Sequence, residues 1–116
     1  MKYAAILAGG TGKRMSSTFP KQFISLGGEL IIIRTIRRIL ESGLFDKLII
    51  AIHPDWKSHL DAEISKAEIS CKNMFITAGG KERLDSIRNV SNFLCSAFGK
   101  PQDEDCIVIF DAVRPF

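Results

Sequence analysis

The sequence predicts an α/β fold in which a parallel sheet is covered by helices on both faces. Short, continuous apolar runs alternate along the chain with segments whose apolar residues recur every three or four positions. Continuous apolar strands are typical of parallel sheets buried on both faces, and amphipathic segments between them are typical of crossover helices. The predicted order is β-α-β-α-β-α-β, with right-handed crossovers.

The first half of the chain supplies two of the strands. Residues 3–8 form an apolar run that ends at two glycines, and residues 47–52 (KLIIAI) form the second run. Between them, residues 30–40 carry Ile32, Ile36, Ile39 and Leu40 at helical spacing, and Gly43 is a suitable helix stop. After the second strand, Asp55 is the expected cap of a helix. One face of that helix carries Trp56, Leu60, Ile64 and Ala67.

The second half repeats the pattern. Residues 74–77 form a short third strand closed by Gly79 and Gly80, and residues 106–110 (CIVIF) form a fourth strand that runs into Asp111. The helix between these strands is marked by five apolar residues, Leu84, Ile87, Val90, Leu94 and Phe98. No helix follows the last strand, so we expect residues 1–116 to be the first part of a larger domain.

Composition narrows the class of protein. The 116 residues are 46% hydrophobic and 25% charged, as in a single soluble globular domain, but the length is short for a complete α/β enzyme. The net charge of +3 is far below that of a dedicated nucleic-acid binder. Neither a membrane span nor a signal peptide is expected. Cys71, Cys95 and Cys106 have no metal-ligand spacing and are predicted to be reduced thiols of a cytoplasmic protein, with Cys95 and Cys106 buried.

The unusual polar residues follow the predicted strands. Ligands of open α/β sheets bind beyond the carboxyl ends of the strands. The loop at 9–21, the His53-Pro54-Asp55 turn, the segment 79–83, and Asp111 with Arg114 all fall at such ends. Neither His53 nor His59 has a partner at catalytic or metal spacing, so a loop-capping or surface role is expected for both.

The first loop, within LAGGTGKRMSSTFPKQF, contains three glycines and three cations (Lys13, Arg14 and Lys21) but no acid. Glycines allow backbone amides to form an anion nest, and Arg14 can grip phosphate oxygens in a bidentate manner. The loop fits neither GxxxxGK[ST] nor GxGxxG. The alternative is a turn whose glycines only pack and whose cations are solvated.

Two other elements remain ambiguous from the residues alone. Asp111 ends an apolar strand, where it could hold Mg²⁺ beside a phosphate, or instead pair with Arg114 or cap a turn. In GGKERLDS, Arg83 and Ser86 share a face at the start of a helix, where an anion is favoured. A solvated first turn is the reading that the residues by themselves favour.

Four motifs taken together resemble one known family. LAGGTGKRM, PKQF, AGGKERLDS and DAVRPF are similar, in order and spacing, to the cytidylyltransferases that activate polyol phosphates. That family includes the 2-C-methyl-D-erythritol 4-phosphate enzymes of isoprenoid synthesis and the ribitol-5-phosphate enzymes of wall-polymer synthesis. The resemblance covers essentially the whole chain, and it implies the CTP-binding, N-terminal half of a single Rossmann-like nucleotidyltransferase domain.

The resemblance also implies roles for individual residues. Arg14 and Lys21 would be catalytic, steadying the triphosphate and the charge that develops on the α-phosphate. Asp111 would bind Mg²⁺, and Arg114 would lie on the substrate side. The CTP-binding set would comprise Leu7, Ala8, Gly9, Gly10, Thr11, Gly12, Lys13, Gly80, Arg83 and Ser86. Within it, Ala8, Gly9, Gly10 and Ser86 would read the cytosine and ribose.

The family resemblance predicts a reaction but leaves alternatives. The opening LAGGTGKRM and the stretch from His53 to Trp56 look more like the ribitol-phosphate branch, so the predicted reaction converts CTP and ribitol 5-phosphate to CDP-ribitol and pyrophosphate. The alternatives are the methylerythritol-phosphate enzyme and a non-catalytic nucleotide-binding fragment. A dinucleotide-dependent oxidoreductase is disfavoured by the missing GxGxxG.

The sequence departs from the family pattern at one position: Phe110 replaces the His that usually precedes the Asp of DAVRPF. Later segments of the family supply further metal and substrate contacts and a dimerising arm, so a homodimer is expected of the full-length protein.

Overall fold

The central sheet has four parallel strands. A computed structural model describes residues 1–8, 25–26, 29–69, 72–80 and 83–111, with the backbone alone at 25, 26, 29, 30 and 111. The central strands are β1 (Lys2–Ala8), β4 (Lys47–Ile52), β5 (Met74–Ala78) and β6 (Cys106–Asp111), in the spatial order β5-β4-β1-β6. The four strands and their parallel arrangement confirm the predicted fold class.

Burial explains why these sequences form strands. β1 and β4 lie in the middle of the sheet, and nearly all of their residues are buried, because both faces of each strand are covered. β-Branched residues such as Ile49 and Ile50 suit this position, since their side chains pack well on a pleated surface.

Among the described residues, three α-helices cover the sheet on both faces, as predicted. α1 (Ile31–Ser42) and α2 (Lys57–Lys66) pack on one face, and α3 (Arg83–Phe98) packs on the other. The first face buries the side chains Ile32, Ile36, Ile39, Leu60 and Ile64 against alternate residues of β1 and β4. None of the helices among the described residues is long and apolar enough to span a membrane.

A short antiparallel pair was not predicted. β2 (Ser25–Leu26) and β3 (Glu29–Leu30) pair directly before α1. The sequence between them is Gly27-Gly28, and a two-residue Gly-Gly connection is a recognised hairpin signal. The signal was therefore available in the sequence.

The predicted cap of the second helix is wrong. The Asp55 side chain does not begin α2; a 3₁₀ turn (Pro54–Trp56) comes first, and α2 starts at Lys57. His53 caps this turn, with Nδ1 accepting a hydrogen bond of 3.1 Å from the backbone N–H of Asp55. The imidazole reaches that N–H because Pro54 fixes the turn immediately after β4. The capping role expected for His53 is thus confirmed.

The apolar face predicted for α3 is correct except at its first turn. Val90 is buried and Ile87, Leu94 and Phe98 pack against the same cluster, but Leu84 is 70% exposed. An α-helix turns about 100° per residue. Leu84 lies two three-residue steps before Val90, which places it about 120° from Val90 around the helix axis, at the margin of the apolar face.

Cys95 and Cys106 were predicted to be buried, and both are exposed free thiols. Cys106 begins β6, which pairs only with β1 among the described strands, so part of β6 is uncovered. Ile107 and Val108, the next two residues, are 41% and 40% exposed. Cys95 follows Val90 by five residues, which places it about 140° from Val90 around the axis of α3. Cys71 lies outside the described residues.

Candidate functional site

The carboxyl ends of the four parallel strands meet at one edge of the sheet, as the sequence predicted. At this edge β1 has β4 on one side and β6 on the other. From β1 the chain continues to β4 and β5 on one side of the sheet, and it then crosses to β6 on the other side of β1. The strand order therefore reverses between β1 and β6. Open α/β sheets bind ligands at such a switch point. The position of this reversal identifies the candidate site.

Two predicted ligand-binding segments start at the switch point. The loop that contains Lys13, Arg14 and Lys21 follows Ala8, the last residue of β1. Asp111 is the last residue of β6 and lies in register with Leu7 of β1. The backbone therefore brings the acidic position directly beside the start of the cationic loop. An acidic residue and a cation-rich segment of the sequence are thus adjacent at the switch point.

Leu7 and Ala8 contribute backbone rather than side chains to this edge. The two residues are only 9% and 3% exposed, and their side chains pack on opposite faces of the sheet. Any ligand contact by these residues would consequently use the peptide groups where β1 ends.

The loop between β5 and α3 reaches the same edge. Gly79 N donates to the carbonyl oxygen of Ile52, the last residue of β4, at 2.7 Å. Gly80 N donates to Ser86 Oγ at 3.0 Å. This contact brings the loop against the first turns of α3.

Gly80 is required for that close approach. A Cβ added to Gly80 would overlap the Cβ of Asp85 and lie 3.0 Å from the carbonyl carbon of Asp85. Only a residue without a side chain fits here unless backbone moves. The glycine at this position is therefore explained by the packing of the loop on α3.

Ser86 is 3% exposed and holds the loop through its oxygen. Accepting from Gly80 N uses one lone pair of the hydroxyl group, and a hydroxyl group is also a donor. Arg83 is the first residue of α3 and is exposed at the same end of the helix. The two residues thus share the carboxyl edge, as the sequence predicted, while their roles toward a ligand remain predictions.

The histidines near this edge have structural contacts. His53 caps the turn before α2, and its Nδ1 lies 3.5 Å from Oδ2 of Asp55, whose side chain is 83% exposed. The ring of His59 lies edge-on to the indole of Trp56, with 5.8 Å between centroids. These contacts agree with the loop and surface roles expected from the sequence.

Phe110, which precedes Asp111, has an apolar environment. Its ring packs against the α1–α2 face and lies perpendicular to the ring of Phe45, with centroids 5.8 Å apart. Such edge-to-face pairs stabilise a fold by about 0.5–1.5 kcal/mol beyond area burial. The aromatic residue at this position therefore contributes packing rather than a polar contact.

Several predicted site residues cannot be placed. Gly9, Gly10, Thr11, Gly12, Lys13, Arg14, Lys21 and Arg114 lie outside the described residues, as does the side chain of Asp111. Of the predicted site, the described part comprises Leu7, Ala8, Gly80, Arg83, Ser86 and the backbone of Asp111.

One residue at this edge, Asn89, was not predicted from the sequence to belong to the site. Asn89 Nδ2 donates a hydrogen bond of 2.9 Å to the carbonyl oxygen of Ala78, the last residue of β5. Asn89 follows Ser86 by three residues and therefore shares its side of α3. The sequence feature that pointed to Asn89 is its position three residues after Ser86, where a polar side chain lies on the same side of the helix.

Comparisons with known proteins agree with this geometry. Residues 3–116 match the family described as IspD, 2-C-methyl-D-erythritol 4-phosphate cytidylyltransferase. A Streptococcus pneumoniae serotype 2 (strain D39) protein named ribitol-5-phosphate cytidylyltransferase is 40% identical over 118 aligned residues, covering 100% of this chain and 50% of that protein. The chain therefore spans about half the length of the curated relatives it matches.

Solved structures show the same fold. The Francisella tularensis 2-C-methyl-D-erythritol 4-phosphate cytidylyltransferase has a TM-score of 0.70 and 28% identity, covering 98% of this chain and 45% of that one. The 4-diphosphocytidyl-2C-methyl-D-erythritol synthase of Anaerococcus prevotii has a TM-score of 0.69 at 21% identity, covering 99% and 44%. Because the family match extends over nearly the whole sequence, the chain belongs to the IspD family of polyol-phosphate cytidylyltransferases.

Proposed function

We propose that the protein transfers a cytidylyl group from CTP to ribitol 5-phosphate. A phosphate oxygen of ribitol 5-phosphate attacks the α-phosphorus of CTP in line, and the bond from that phosphorus to the β-phosphate bridging oxygen breaks. The products are CDP-ribitol and pyrophosphate. The observation that carries the proposal is the pairing of Leu7 with Asp111 at the switch point. The 40% identity to a protein named ribitol-5-phosphate cytidylyltransferase supports the choice of acceptor.

The residues of the first loop would hold the triphosphate. Arg14 and Lys21 would stabilise the charge that develops on the α-phosphate, and Lys13 would add positive charge beside them. Backbone amides from Ala8 to Gly10 would contact the nucleoside. Preorganised donors of this kind act where charge develops in the transition state, and removing one costs about 100- to 1,000-fold in turnover.

The second loop would complete the nucleotide pocket. Ser86 would donate its hydroxyl hydrogen to the nucleotide while accepting from Gly80 N, and Arg83 is exposed at the start of the same helix. Leu7, Thr11 and Gly12 would contribute backbone to the pocket wall. Positioning of the two reactants then supplies much of the rate, because in-line transfer requires little covalent work from the protein.

Magnesium is the proposed cofactor. Among the side chains that the structure describes, no group of three or more His, Cys, Asp and Glu residues could hold a metal ion. The proposed ligands of a bound ion are Asp111, which the family resemblance implies, and the phosphate oxygens of CTP. That donor set suits Mg²⁺, which usually binds one or two carboxylates together with substrate phosphates. When bound, Mg²⁺ would neutralise phosphate charge; Arg114 would hold the adjoining segment or contact the polyol phosphate.

Product analysis tests this proposal. The chain is incubated with CTP, Mg²⁺ and ribitol 5-phosphate, and CDP-ribitol and pyrophosphate are measured by mass spectrometry and ³¹P NMR. Arg14→Ala and Lys21→Ala are each expected to lower turnover about 100- to 1,000-fold. Lys2→Ala is the matched control, because Lys2 lies at the amino end of β1, away from the carboxyl edge. Pyrophosphate release by Arg14→Ala at the parent rate would refute the catalytic assignment.

Two other functions remain candidates. The family description and the structural match to the Francisella enzyme favour methylerythritol 4-phosphate as the acceptor. Faster turnover with methylerythritol 4-phosphate than with ribitol 5-phosphate would make it the assigned acceptor. Nucleotide binding without turnover is the other candidate. CTP binding without either product would identify that case.

The proposed reaction also suggests the binding partners and the cellular compartment of the protein. CTP and a polyol phosphate are the proposed partners, with neither nucleic acid nor membrane required, and the cytoplasm is the proposed compartment because it supplies CTP. A homodimer is proposed for the full-length protein from the family resemblance.

A further inference from the structure

Three of the described hydrogen bonds hold residues 78–80, where β5 leads toward α3. Gly79 N donates to Ile52 O at 2.7 Å, which ties the loop to the neighbouring strand. The other two bonds come from α3: Ser86 Oγ accepts from Gly80 N at 3.0 Å, and Asn89 Nδ2 donates to Ala78 O at 2.9 Å. The loop is thus held at consecutive residues from 78 to 80.

Ser86 and Asn89 act on this loop in complementary ways. The serine oxygen accepts from a backbone N–H, and the asparagine amide donates to a backbone carbonyl group. Because the two residues are three apart on α3, both reach the loop from one side of the helix. Together they fix the orientation of the peptide groups on either side of Gly79.

That orientation matters because Gly80 has little freedom to adjust. A side chain on Gly80 would overlap Asp85, so the loop already lies as close to α3 as the backbone allows. If the Ala78 carbonyl group were released, the peptide groups leading to Gly80 could rotate. The geometry that Ser86 and Gly80 present at the carboxyl edge would then be lost.

We propose that Asn89 is a positioning residue of the nucleotide pocket, which holds the β5–α3 loop in the conformation that binds the cytidine part of CTP. The inference rests on the proposed CTP-binding function. Asn89 touches neither substrate nor metal in this account; it acts through Ala78 and Gly80. The triphosphate, which the first loop would hold, does not depend on Asn89.

Separate titrations with CTP and with inorganic tripolyphosphate test the assignment, both by calorimetry in the presence of Mg²⁺. The expected result for Asn89→Ala is about fivefold weaker CTP binding, which is the effect of one hydrogen bond of about 1 kcal/mol. Tripolyphosphate binding is expected to be unchanged. Asn89→Asp preserves the side-chain shape but removes the donor, and should weaken CTP binding at least as much.

Asn92→Ala is the matched control, because Asn92 is exposed on the same helix. It should leave both affinities at the parent value. Equal weakening of CTP and tripolyphosphate binding by Asn89→Ala would indicate general damage and overturn the inference, as would unchanged CTP binding. If the parent chain bound neither ligand, the proposed function itself would fail, and this result is distinguishable from both of the others.

Discussion

Replacing Ser86 with Ala should destabilise the protein, because it removes the only oxygen known to accept from Gly80 N among the described contacts. Ser86 is 3% exposed, whereas Gly80 is half-buried, so water can partly reach the released N–H. An unsatisfied buried donor costs about 1–3 kcal/mol, and the partial exposure places this site near the lower end. We expect the lost hydrogen bond to lower the free energy of unfolding by about 1.5 kcal/mol, before any gain from placing Ala in the helix is counted.

A matched substitution separates this loss from the effect of placing Ala in a helix. Ala favours the helical conformation over Ser by about 0.5 kcal/mol, so replacing either Ser86 or Ser91 of α3 with Ala gains this stabilisation. Ser91 is exposed on α3, so Ser91→Ala shows the propensity effect alone. The difference between the two variants should therefore equal the cost of losing the hydrogen bond.

Urea unfolding measures that difference. The protein has one tryptophan, Trp56, and its ring packs against the α1–α2 face, so its fluorescence reports on the core. With a slope of about 1.5 kcal/mol per M, a loss of about 1.5 kcal/mol moves the midpoint by about 1 M. Equal midpoints for Ser86→Ala and Ser91→Ala would refute the assigned role of the hydrogen bond.

Two further predictions concern stability. Gly99 follows α3 with φ of +84°, and a Cβ added there would meet no atom within 4 Å, so Gly99→Ala should cost about 1–2 kcal/mol in urea unfolding through the backbone conformation alone. The N-terminal amine of Met1 lies 2.8 Å from Oδ1 of Asp105. This hydrogen bond raises the pKa of the amine and, with the N–H of Gln102, lowers the pKa of Asp105. The ion pair of the Met1 amine with Asp105 should therefore stabilise the chain most at pH values between the pKa of Asp105 and the pKa of the amine.

The sign of that pH dependence follows from each shift. The amine contributes stability below its unfolded pKa, and the contribution disappears as pH rises through the folded value. Asp105 contributes above its unfolded pKa, and this disappears as pH falls through the folded value. Asp105→Asn should flatten both limbs of a plot of unfolding free energy against pH, while Asp103→Asn, at an exposed neighbouring position, should not.

Controls exist for both predictions. Gly99→Asn should cost less than Gly99→Ala, because Asn tolerates the left-handed conformation better. If Gly99→Ala were as stable as the parent chain, the conformational argument would be wrong. An Asp105→Asn profile parallel to that of the parent chain would mean that the ion pair contributes nothing to stability.

The sequence predicted the sheet well because parallel strands buried on both faces have a strong signal. Continuous apolar runs such as KLIIAI identified the strands, and their alternation with amphipathic segments identified the crossovers. The same signal explains the error at Cys106. An apolar run does not reveal whether its strand lies inside the sheet or at an edge, and β6 is at an edge of the described sheet.

The site was predictable only where chemistry and topology coincide. Glycines, cations and Asp111 could be assigned to strand ends, and parallel topology then places those ends together. The capping role of His53 was expected, but its partner, the backbone N–H of Asp55, was not predicted, and neither was the contact of Asn89 with Ala78. Each depends on where a side chain meets a particular backbone group, and spacing along the sequence does not determine that distance.

Calorimetric titration of the chain with CTP in the presence of Mg²⁺ tests the central claim, that the carboxyl edge between β1 and β6 is a CTP site. The account predicts saturable binding of CTP, weaker binding of ATP and GTP, and loss of CTP binding in Arg14→Ala but not in Lys2→Ala. Absence of heat at millimolar CTP would contradict it.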